Sequence, residues 1–373
     1  MEMKNFYNSL IDKILKNIVN QYDENYDFYR FGAKREKVKI LSKIKKLVKK
    51  ILHIKEIQLT TDQYRCSFNS LLPYLNGIEK LYNLLENERS KELLVELIAY
   101  RVLGYKKCKL PLNTPEYWNG IKSLEKYKIP SDYIKIPYPG FENDRLYKHN
   151  LLDLNIPISI FYNTKGIYNH LKVKQYEYID ENIKIKINAE DIVLDCGACY
   201  GDTALFFAND LNEKGHVYSF EFIPRNIDIF KKNIELNANL NDKITLIPYP
   251  LDEFNNRELH FLDSGSGSRV ITEPDTNSDV VTTINIDTFF EDYNLKKVDF
   301  IKMDIEGSEL SALKGARKTI ERFRPKLAIS IYHSLDDTVN ISEHLNSLGL
   351  NYKFYLKHGS IHCEETVLLA ISL

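Results

Sequence analysis

From residue 183 onward, short apolar runs alternate with stretches in which apolar residues recur at helical spacing. The apolar runs predict strands at 191–195, 217–221, 244–249, 298–303, 326–332, 352–356 and 366–371. The helical spacing predicts helices near 202–212, 224–238, 307–322 and 338–348. Strands that alternate with helices build a parallel sheet with helices on both faces. This part of the chain is therefore predicted to be an α/β domain.

The pattern before residue 180 is different. Helical spacing dominates residues 1–108, and its apolar stripe is predicted to end at Gly104. Prolines are dense from Leu110 to Tyr138, which predicts an irregular connecting segment. Short β-type runs continue to about residue 180 and are predicted to form a cover in front of the α/β sheet. We expect a mainly helical domain at 1–150 and a second domain at 151–373 that begins with this cover.

A basic amphipathic helix is predicted between Arg35 and Ile57, where lysines separate regularly spaced apolar residues. One interpretation is peripheral contact with an anionic membrane surface. The other is a helix packed on its neighbours with a solvated lysine face. The second is favoured because neither Trp nor Phe marks the apolar side of this helix.

Composition and charge narrow the class of protein. The 51 Lys and Arg residues nearly balance the 52 Asp and Glu residues, so no global field predicts nucleic-acid binding. The five cysteines are odd in number, which favours a reducing compartment over a disulfide scaffold. Charges interrupt the first 20 residues, and no uncharged stretch approaches the roughly 20 residues of a membrane span. We expect a cytoplasmic protein, with peripheral contact at the inner face of the membrane as an alternative, and the sequence leaves its oligomeric state open.

The strongest local signal lies between Asp191 and Thr203. An apolar run leads into Asp195, a glycine-containing turn follows, and a helical pattern begins. Backbone N–H groups in such a turn and the positive end of a helix bind an anion or a dipole. Because position 199 is Cys, the turn does not match the G-x-G-x-x-G dinucleotide motif. The ligand-binding residues predicted in this turn are Asp195, Gly197, Ala198, Cys199, Gly201, Asp202 and Thr203.

The next predicted strand ends in Glu221. In open α/β sheets, ligands bind at the carboxyl ends of the strands, and an acid at this place accepts hydrogen bonds from ribose hydroxyls. Glu221 is therefore predicted to bind the ribose of a cofactor, with Phe222 and Leu251 as neighbouring contacts. By itself this feature does not distinguish between adenosine-containing cofactors.

The run from Lys302 to Glu309, which reads K-x-D-x-E-G-x-E, resembles the most recognisable motif of the FkbM-type methyltransferases. The resemblance also includes Asp195–Thr203, Tyr218–Pro224, Arg324–His333 and His358–Leu368, and covers roughly residues 175–373. It implies a Rossmann-like, seven-stranded methyltransferase sheet that ends in an antiparallel hairpin. It also implies S-adenosyl-L-methionine (SAM) as cofactor, and methyl transfer to the oxygen of a sugar, a glycan precursor or another small hydroxyl compound.

The predicted catalytic residues are Asp304, His333 and Lys302, and Asp304 is also predicted to contact the cofactor. The sulfonium methyl of SAM is already electrophilic, so the protein has to align the attack and accept a proton from the hydroxyl. Asp304 is predicted to orient the acceptor or to bind a divalent metal that acidifies it. His333 is the leading candidate for the base, the alternative being that it only caps a loop. For Lys302, the alternative is a structural ion pair with Glu306 or Asp304.

Several alternatives stay open at this stage. A metal site made of Asp304, Glu306, His358 and His362 is one interpretation of the acids and histidines near the hairpin. The loop between Asp263 and Arg269 either closes over the acceptor or is a plain hairpin turn. For the whole chain, the alternatives to a methyltransferase are an NAD-linked sugar oxidoreductase and a non-catalytic SAM- or glycan-binding partner in polysaccharide assembly.

Overall fold

The computed structural model describes residues 5–22, 25, 67–136, 145–262, 269–271 and 279–373. The predicted basic helix at 35–57 and most of the loop at 263–269 lie outside these residues. In the described part of the chain, no helix is both long and apolar enough to cross a lipid bilayer.

A mostly parallel sheet of seven strands forms the centre of the protein, as the alternating pattern predicts. The strand order is β14-β15-β13-β12-β6-β7-β8. The bounds are Ile192–Cys196 (β6), His216–Phe220 (β7), Ile244–Ile247 (β8), Phe300–Met303 (β12), Lys326–Ser330 (β13), Tyr352–His358 (β14) and Thr366–Ser372 (β15). β15 runs antiparallel to both of its neighbours, β13 and β14. Its amino end therefore lies at the same edge as the carboxyl ends of the parallel strands.

Helices follow most of these strands. Their bounds are Asp202–Asp210 (α6), Pro224–Glu235 (α7), Ile286–Asp292 (α8), Glu309–Lys314 (α9), Arg317–Phe323 (α10) and Leu335–Ser347 (α11). The single helix predicted at 307–322 is wrong, because the chain forms two helices that break at Gly315. A side chain at Gly315 would overlap the backbone of Asp252, so the break lets two segments approach closely.

Of the N-terminal helices α1 (Phe6–Ile18), α2 (Leu75–Leu84) and α3 (Glu88–Leu103), α3 packs beside strand β14, α1 packs on α3, and α2 packs on α11. Ser90 of α3 accepts a hydrogen bond from the backbone N–H of Leu356 at 3.0 Å. Helix α3 ends at Gly104, whose φ of 76° is a conformation that glycine adopts readily. Buried residues of these helices and of the sheet form one continuous apolar core. The division at residue 150 stays a prediction.

The prediction of an irregular segment at 110–138 is wrong. Helix α4 (Pro115–Leu124) begins with its proline in the first turn and is capped by Thr114. Proline has no N–H to lose at that position, so it starts a helix rather than breaking it. Strand β1 (Lys128–Lys135) contains Pro130 where its register with β2 shifts, and proline is tolerated at such irregular positions.

The segment predicted as a cover contains β2 (Arg145–Asn150), β3 (Ser159–Tyr162) and α5 (Thr164–Tyr168), followed by the short pair β4 (Tyr178–Ile179) and β5 (Lys184–Ile185). Two buried asparagines, one in α7 and one just after its end, hold strand β3 in place. Asn233 accepts a hydrogen bond from the N–H of Phe161 at 2.8 Å and donates one to the carbonyl of Tyr200 at 2.8 Å. Asn237 accepts one from the N–H of Ser159 at 2.9 Å. The cover is thereby attached to the glycine-containing turn after β6.

A second small sheet was not predicted from the sequence. Strands β10 (Arg269–Ile271) and β11 (Asp279–Thr282) both pair antiparallel with β9 (Glu258–Leu262). Helix α8 was also not predicted, although the sequence carries its signal, because Asn285 caps it through the N–H of Thr288 at 2.8 Å.

Candidate active site

The predicted site residues meet at one edge of the sheet. Asp195, Glu221 and Asp304 each stand at or just beyond the carboxyl end of a parallel strand, and His333 lies three residues after β13. Glu365 lies just before β15, whose antiparallel direction brings its beginning to this edge. Parallel topology therefore collects residues that are far apart in the sequence.

The turn after β6 is held between the two neighbouring strands. The N–H groups of Gly197 and Ala198 donate to the carbonyl of Phe220 at 3.0 and 2.9 Å. Gly197 has a φ of 85°, and a Cβ at this position would overlap the carbonyl oxygen of Asp304. Only glycine fits here, because the backbones of the two loops are in contact.

The side chain of Lys302 stabilises the same turn. Its Nζ lies 3.2 Å from Oδ1 of Asp195 and donates to the carbonyl oxygen of Gly197 at 2.6 Å. Burial by itself lowers the pKa of this lysine, but Asp195 and Asp304 more than offset that effect, so its pKa is raised. The ion pair anticipated for Lys302 is real, but its partner is Asp195 and not Glu306 or Asp304.

Asp195 is fully buried behind the turn. Besides Lys302, it accepts hydrogen bonds from the hydroxyls of Thr203 at 2.7 Å and Ser219 at 3.4 Å. Neither Asp195 nor Ala198 lines the cavities at this edge, whereas Gly197, Cys199, Asp202 and Thr203 do. Asp195 therefore shapes the ligand-binding turn from inside.

A narrow cavity of about 70 Å³ opens beside β7 and contains the predicted residues Glu221, Phe222 and Leu251. The carboxylate of Glu221 accepts hydrogen bonds from the N–H groups of Phe222 and Ile223, both at 2.8 Å, and from the side-chain amide of Asn226 at 3.2 Å. Burial raises the pKa of Glu221 to about 7, although these hydrogen bonds oppose the rise. An acid of this kind, walled by apolar groups, suits a ribose.

A larger cavity of about 390 Å³ adjoins the narrow one, and the cover forms its outer wall. Lining residues from the cover include Tyr162, Asn163, Lys165, Asn169, His170, Gln175 and Tyr176. His170 Nε2 lies 2.7 Å from Oδ2 of Asp202 and its ring stacks on Phe206 at 4.7 Å. The cover thus contributes polar and aromatic groups to the site, as its predicted position in front of the sheet suggests.

Asp304 stands where the two cavities meet and lines both of them. Its carboxylate accepts hydrogen bonds from the hydroxyls of Tyr176 at 2.9 Å and Tyr332 at 3.1 Å. Burial favours its neutral form, but contacts with His333 and Lys302 outweigh burial and hold the pKa of Asp304 below its usual range. The carboxylate is therefore charged and fixed in direction.

Three carboxylates surround His333. Its Nε2 lies 3.3 Å from Asp304 Oδ1 and 3.5 Å from Glu306 Oε2, and its Nδ1 lies 3.1 Å from Glu309 Oε1. Burial by itself lowers the pKa of His333, but Asp304 and Glu309 raise it to about 11. In this arrangement the ring holds its proton at neutral pH, which suits a counter-ion of Asp304 better than a base.

The suggested metal set that includes His358 and His362 is wrong, because these two side chains have other partners. His358 Nδ1 is 2.9 Å from the hydroxyl of Thr366, and burial lowers its pKa to about 4. His362 Nδ1 is 2.5 Å from the hydroxyl of Tyr100 on α3. Among the described residues, the histidine, cysteine and acid side chains that converge closely enough for a metal ion are Asp304, Glu309 and His333.

Sequence reasoning missed the tyrosines at 176 and 332 and the glutamine at 175. Gln175 and Tyr176 lie in a connecting segment without a motif. Tyr332 lies within the Arg324–His333 motif, but only folding brings its hydroxyl and that of Tyr176 to Asp304. Gln175 donates to Oε2 of Glu365 at 2.7 Å, and burial raises the pKa of Glu365 to about 7. Glu365 has a φ of 64°, an uncommon conformation for a non-glycine residue that fits a functional position.

Comparison with known proteins agrees with this geometry. Residues 195–354 match the family model of the methyltransferase FkbM domain. Among curated proteins, none matches the chain. A crystal structure of methyltransferase FkbM from Methylobacillus flagellatus KT superimposes with a TM-score of 0.51 at 19% identity. The match covers 81% of this chain and 60% of that one, so it shows the shared fold over part of a longer protein.

Two further solved structures are more distant. The O-methyltransferase from Bacillus cereus in complex with SAH shares 17% identity over 60% of this chain and 86% of its own, with a TM-score of 0.34. Aeropyrum pernix fibrillarin with natively bound S-adenosyl-L-methionine shares 14% identity over 65% and 99%, with a TM-score of 0.37. Structural similarity with TM-scores this low supports no conclusion about this chain. The family model, together with the placement of the motifs that it covers, establishes that residues 195–354 are a methyltransferase FkbM domain.

Proposed function

We propose that the protein is a SAM-dependent O-methyltransferase that methylates a hydroxyl group of a sugar or glycan precursor. The observation that carries this proposal is the junction of two unlike cavities. The narrow one has mainly apolar walls around Glu221, and the larger one is polar and rich in tyrosine. They share Gly197, Cys199, Asp304 and Glu306. A cofactor in the first can therefore present a reactive group to an acceptor in the second.

The residues present fit SAM. Glu221 can accept hydrogen bonds from the ribose hydroxyls, and Leu251 and Phe222 can contact the adenine. The turn from Gly197 to Thr203 and the N-terminus of α6 can hold the methionine part. When bound, SAM supplies an electrophilic sulfonium methyl group. The role left to this chain is to align the acceptor and to exclude water.

The lining of the larger cavity supports a sugar-like acceptor. Tyrosine rings offer flat apolar surfaces, and Asn163, Asn169 and Gln175 offer amide donors and acceptors for hydroxyl groups. Asp304, fixed by Tyr176 and Tyr332, is the carboxylate placed to orient the attacking hydroxyl. Under this proposal His333 keeps Asp304 ionised.

The test is incubation with methyl-labelled SAM and a panel of nucleotide sugars and lipid-linked glycans, with and without EDTA. We expect label in one acceptor class and production of S-adenosylhomocysteine. SAM binding without any transfer would instead favour a non-catalytic SAM- or glycan-binding partner. Binding of NAD with oxidation of a sugar, and no binding of SAM, would favour an oxidoreductase.

Contact with a membrane through residues 35–57 also remains a proposal, supported only by the spacing of lysines and apolar residues there. Flotation with anionic liposomes at low salt tests it. Failure to float would leave the packed helix as the interpretation.

A further inference from the structure

We infer that Glu365 is the base that accepts the proton of the attacking hydroxyl, and that Gln175 is the residue that positions it. This role rests on the proposed function, because it assigns one step of that methyl transfer. The histidine predicted for this step, His333, is surrounded by acids and lines neither of the two cavities. A base therefore has to come from another side chain.

Glu365 is placed on the acceptor side of the junction. It lies just before β15, is partly buried, and lines the larger cavity but not the narrow one. The hydroxyl of Tyr176 donates to Asp304 at 2.9 Å, and the amide of the adjacent Gln175 donates to Glu365 at 2.7 Å. Two consecutive side chains of the cover thus hold the two carboxylates in the wall of one cavity.

The carboxylate of Glu365 has one oxygen bound and one oxygen open. Gln175 donates to Oε2, and the amide oxygen of Gln175 in turn accepts a hydrogen bond from Asn169 at 3.4 Å. Within the described part of the chain, Oε1 of Glu365 makes no hydrogen bond and no ion pair. A base must reach the proton that it removes by a hydrogen bond. Held through Oε2, the carboxylate can offer Oε1 to a hydroxyl of the acceptor.

The backbone around Glu365 allows this close contact with Gln175. The carbonyl of Glu365 accepts a hydrogen bond from the N–H of Gly359 at 2.7 Å. A Cβ at position 359 would lie 3.1 Å from the Gln175 side chain and 3.4 Å from Cβ of Glu365, so a side chain there would press on both. Glu365 itself has a φ of 64°, and uncommon conformations of this kind occur more often at functional sites than elsewhere.

Three further acids line the larger cavity. Asp202 lies 2.7 Å from Nε2 of His170, and Glu364 is shared with a separate cavity beside α3. Glu306 lies 3.5 Å from His333, is one-third exposed and also lines the narrow cavity. Burial raises the pKa of Glu306 to about 7, although the positive ring of His333 opposes the rise. Glu306 is therefore the competing candidate for the base.

The electrostatic surroundings of Glu365 suit a proton that is gained and lost near neutral pH. Burial and the charges of Asp304 and Glu364 raise its pKa to about 7, whereas Gln175 and Lys165 oppose the rise. Two carboxylates whose pKa values are shifted in opposite directions can divide the work of one site. Asp304 stays ionised and orients the hydroxyl, and Glu365 takes the proton. The other ionisable groups that face Glu365 are Glu306 and the tyrosines at 162, 176 and 332.

The acceptor oxygen loses its proton to Glu365 as it gains the methyl group. The O–CH₃ bond forms, the S–CH₃ bond breaks to release S-adenosylhomocysteine, and the hydroxyl proton passes to Oε1 of Glu365. The electron pair of the O–H bond stays on the acceptor oxygen. The neutral acid then gives its proton to water. Because Glu365 must be ionised before each turnover, the rate at saturating SAM should rise as pH increases through about 7.

The first measurement is the pH dependence of methyl transfer by the full-length protein at saturating SAM, with the acceptor that the panel identifies. Glu365→Gln should lower transfer by about 100- to 10,000-fold and remove the rise with pH. Gln175→Leu should move the rise to higher pH, because Glu365 loses a donor to its ionised form. Glu306→Gln should keep the rise. The control is Glu321→Gln on the exposed face of α10, which should behave as wild type.

Glu365→Gly is a second variant that the backbone should tolerate, because a φ of 64° suits glycine. It leaves room for a small carboxylate beside Gln175. Formate should therefore restore part of the transfer in Glu365→Gly and none in Glu365→Gln, where the amide still fills the space. A purely structural role of Glu365 would give no rescue in either variant.

A readout that needs neither SAM nor acceptor is the carbon-13 NMR titration of protein labelled at the glutamate side-chain carboxyl. The signal of Glu365 is the one that is absent from Glu365→Gln. It should titrate near pH 7 in the wild type and at higher pH in Gln175→Leu. Titration near the ordinary value of 4.5 would overturn the role of Glu365.

Two outcomes of the transfer assay would overturn the role of Glu365 and leave the proposed function intact. One is full transfer by Glu365→Gln. The other is a rise with pH that disappears in Glu306→Gln and persists in Glu365→Gln, which would make Glu306 the base. Absence of transfer by the wild type to every acceptor of the panel would overturn the proposed function, and the role of Glu365 with it.

Discussion

Asp195 and Asp304 stand near the carboxyl ends of two adjacent strands, yet they have different surroundings. Asp195 is fully buried and uses its carboxylate on Lys302, Thr203 and Ser219. Asp304 faces two cavities and is held by Tyr176 and Tyr332. The first shapes the loop that holds a ligand, and the second meets the ligand. An acid at a strand end is therefore not enough to identify a ligand contact.

Lys302 explains most of the difference. It pairs with Asp195 across the β6–β12 register, and its Nζ reaches the carbonyl of Gly197. Lys302 itself lines the larger cavity, whereas Asp195 lines neither cavity. Four predictions follow from this contrast, in order of decreasing expected effect.

Lys302→Met should destabilise the fold by about 3–5 kcal/mol, because it leaves Asp195 buried without its counter-charge. Urea denaturation measures the change. The matched control is Lys314→Met, since Lys314 is half-exposed and its nearest acid, Glu253, is 4.0 Å away. In the double variant Asp195→Asn with Lys302→Met, part of the lost stability should return. A loss of folding stability below about 1 kcal/mol in the single variant would contradict the structural role of the Lys302–Asp195 ion pair and reopen a catalytic role for Lys302.

Asp304→Asn should leave SAM affinity within a few-fold but lower methyl transfer by about 100-fold or more. The reason is that Tyr176 and Tyr332 hold its carboxylate beside the acceptor cavity, while Glu221 and the turn after β6 provide the main proposed contacts to the cofactor. Calorimetry with S-adenosylhomocysteine and a transfer assay with labelled SAM give the two readouts. Full activity in this variant would move the chemistry to another residue, of which Glu365 is the nearest candidate.

Thr203→Val should cost about 1.5–3 kcal/mol of folding stability, because it removes a buried hydrogen bond to the charged Asp195. Thermal or urea denaturation is the measurement. Ser70→Ala serves as the control, since its hydroxyl bond to Ser67 is exposed. An equal effect of the two substitutions would mean that Asp195 does not depend on Thr203.

Glu221 combines features of Asp195 and Asp304. It lines a cavity, as Asp304 does, and its carboxylate also accepts hydrogen bonds from protein groups, here backbone N–H groups. Its pKa is raised to about 7 by burial, and ribose hydroxyls donate to its ionised form. Affinity for S-adenosylhomocysteine should therefore rise from pH 6 to pH 8 and be accompanied by proton release. In the folded protein without ligand, the pH dependence of folding stability has the opposite sign. The raised pKa of Glu221 stabilises the fold below pH 4.5, and this stabilisation is lost as pH rises through about 7.

Calorimetry in two buffers of different ionisation enthalpy measures that proton release. Glu221→Gln should weaken the binding of S-adenosylhomocysteine about 10-fold. Titration of the ligand's own amine gives a pH dependence in both proteins, and the additional pH dependence of the wild type should be absent from the variant. If both proteins show the same pH dependence, Glu221 is not the ribose contact.

Local pattern was a good guide where the chain is regular. The strands of the central sheet and most helices after residue 190 lie within a few residues of their predicted positions, because period and turn residues are local properties. The local pattern gave a wrong prediction at residues 110–138. The density of prolines predicts an irregular segment there, although Pro115 starts a helix. The local pattern also failed at 307–322, where the contact between Gly315 and Asp252, far apart in sequence, divides one helix into two.

For the site, the sequence by itself determined the motif residues and the edge of the sheet where they meet, since strand order and direction follow from a repeated pattern. Only the tertiary structure decided which acid faces inward and which faces the cavity. That choice depends on Lys302, on the tyrosines at 176 and 332 and on the ring of acids around His333. Burial and pairing are set by contacts between residues that are distant in the sequence, with Tyr332 28 positions and Tyr176 128 positions from Asp304, and no local pattern encodes them.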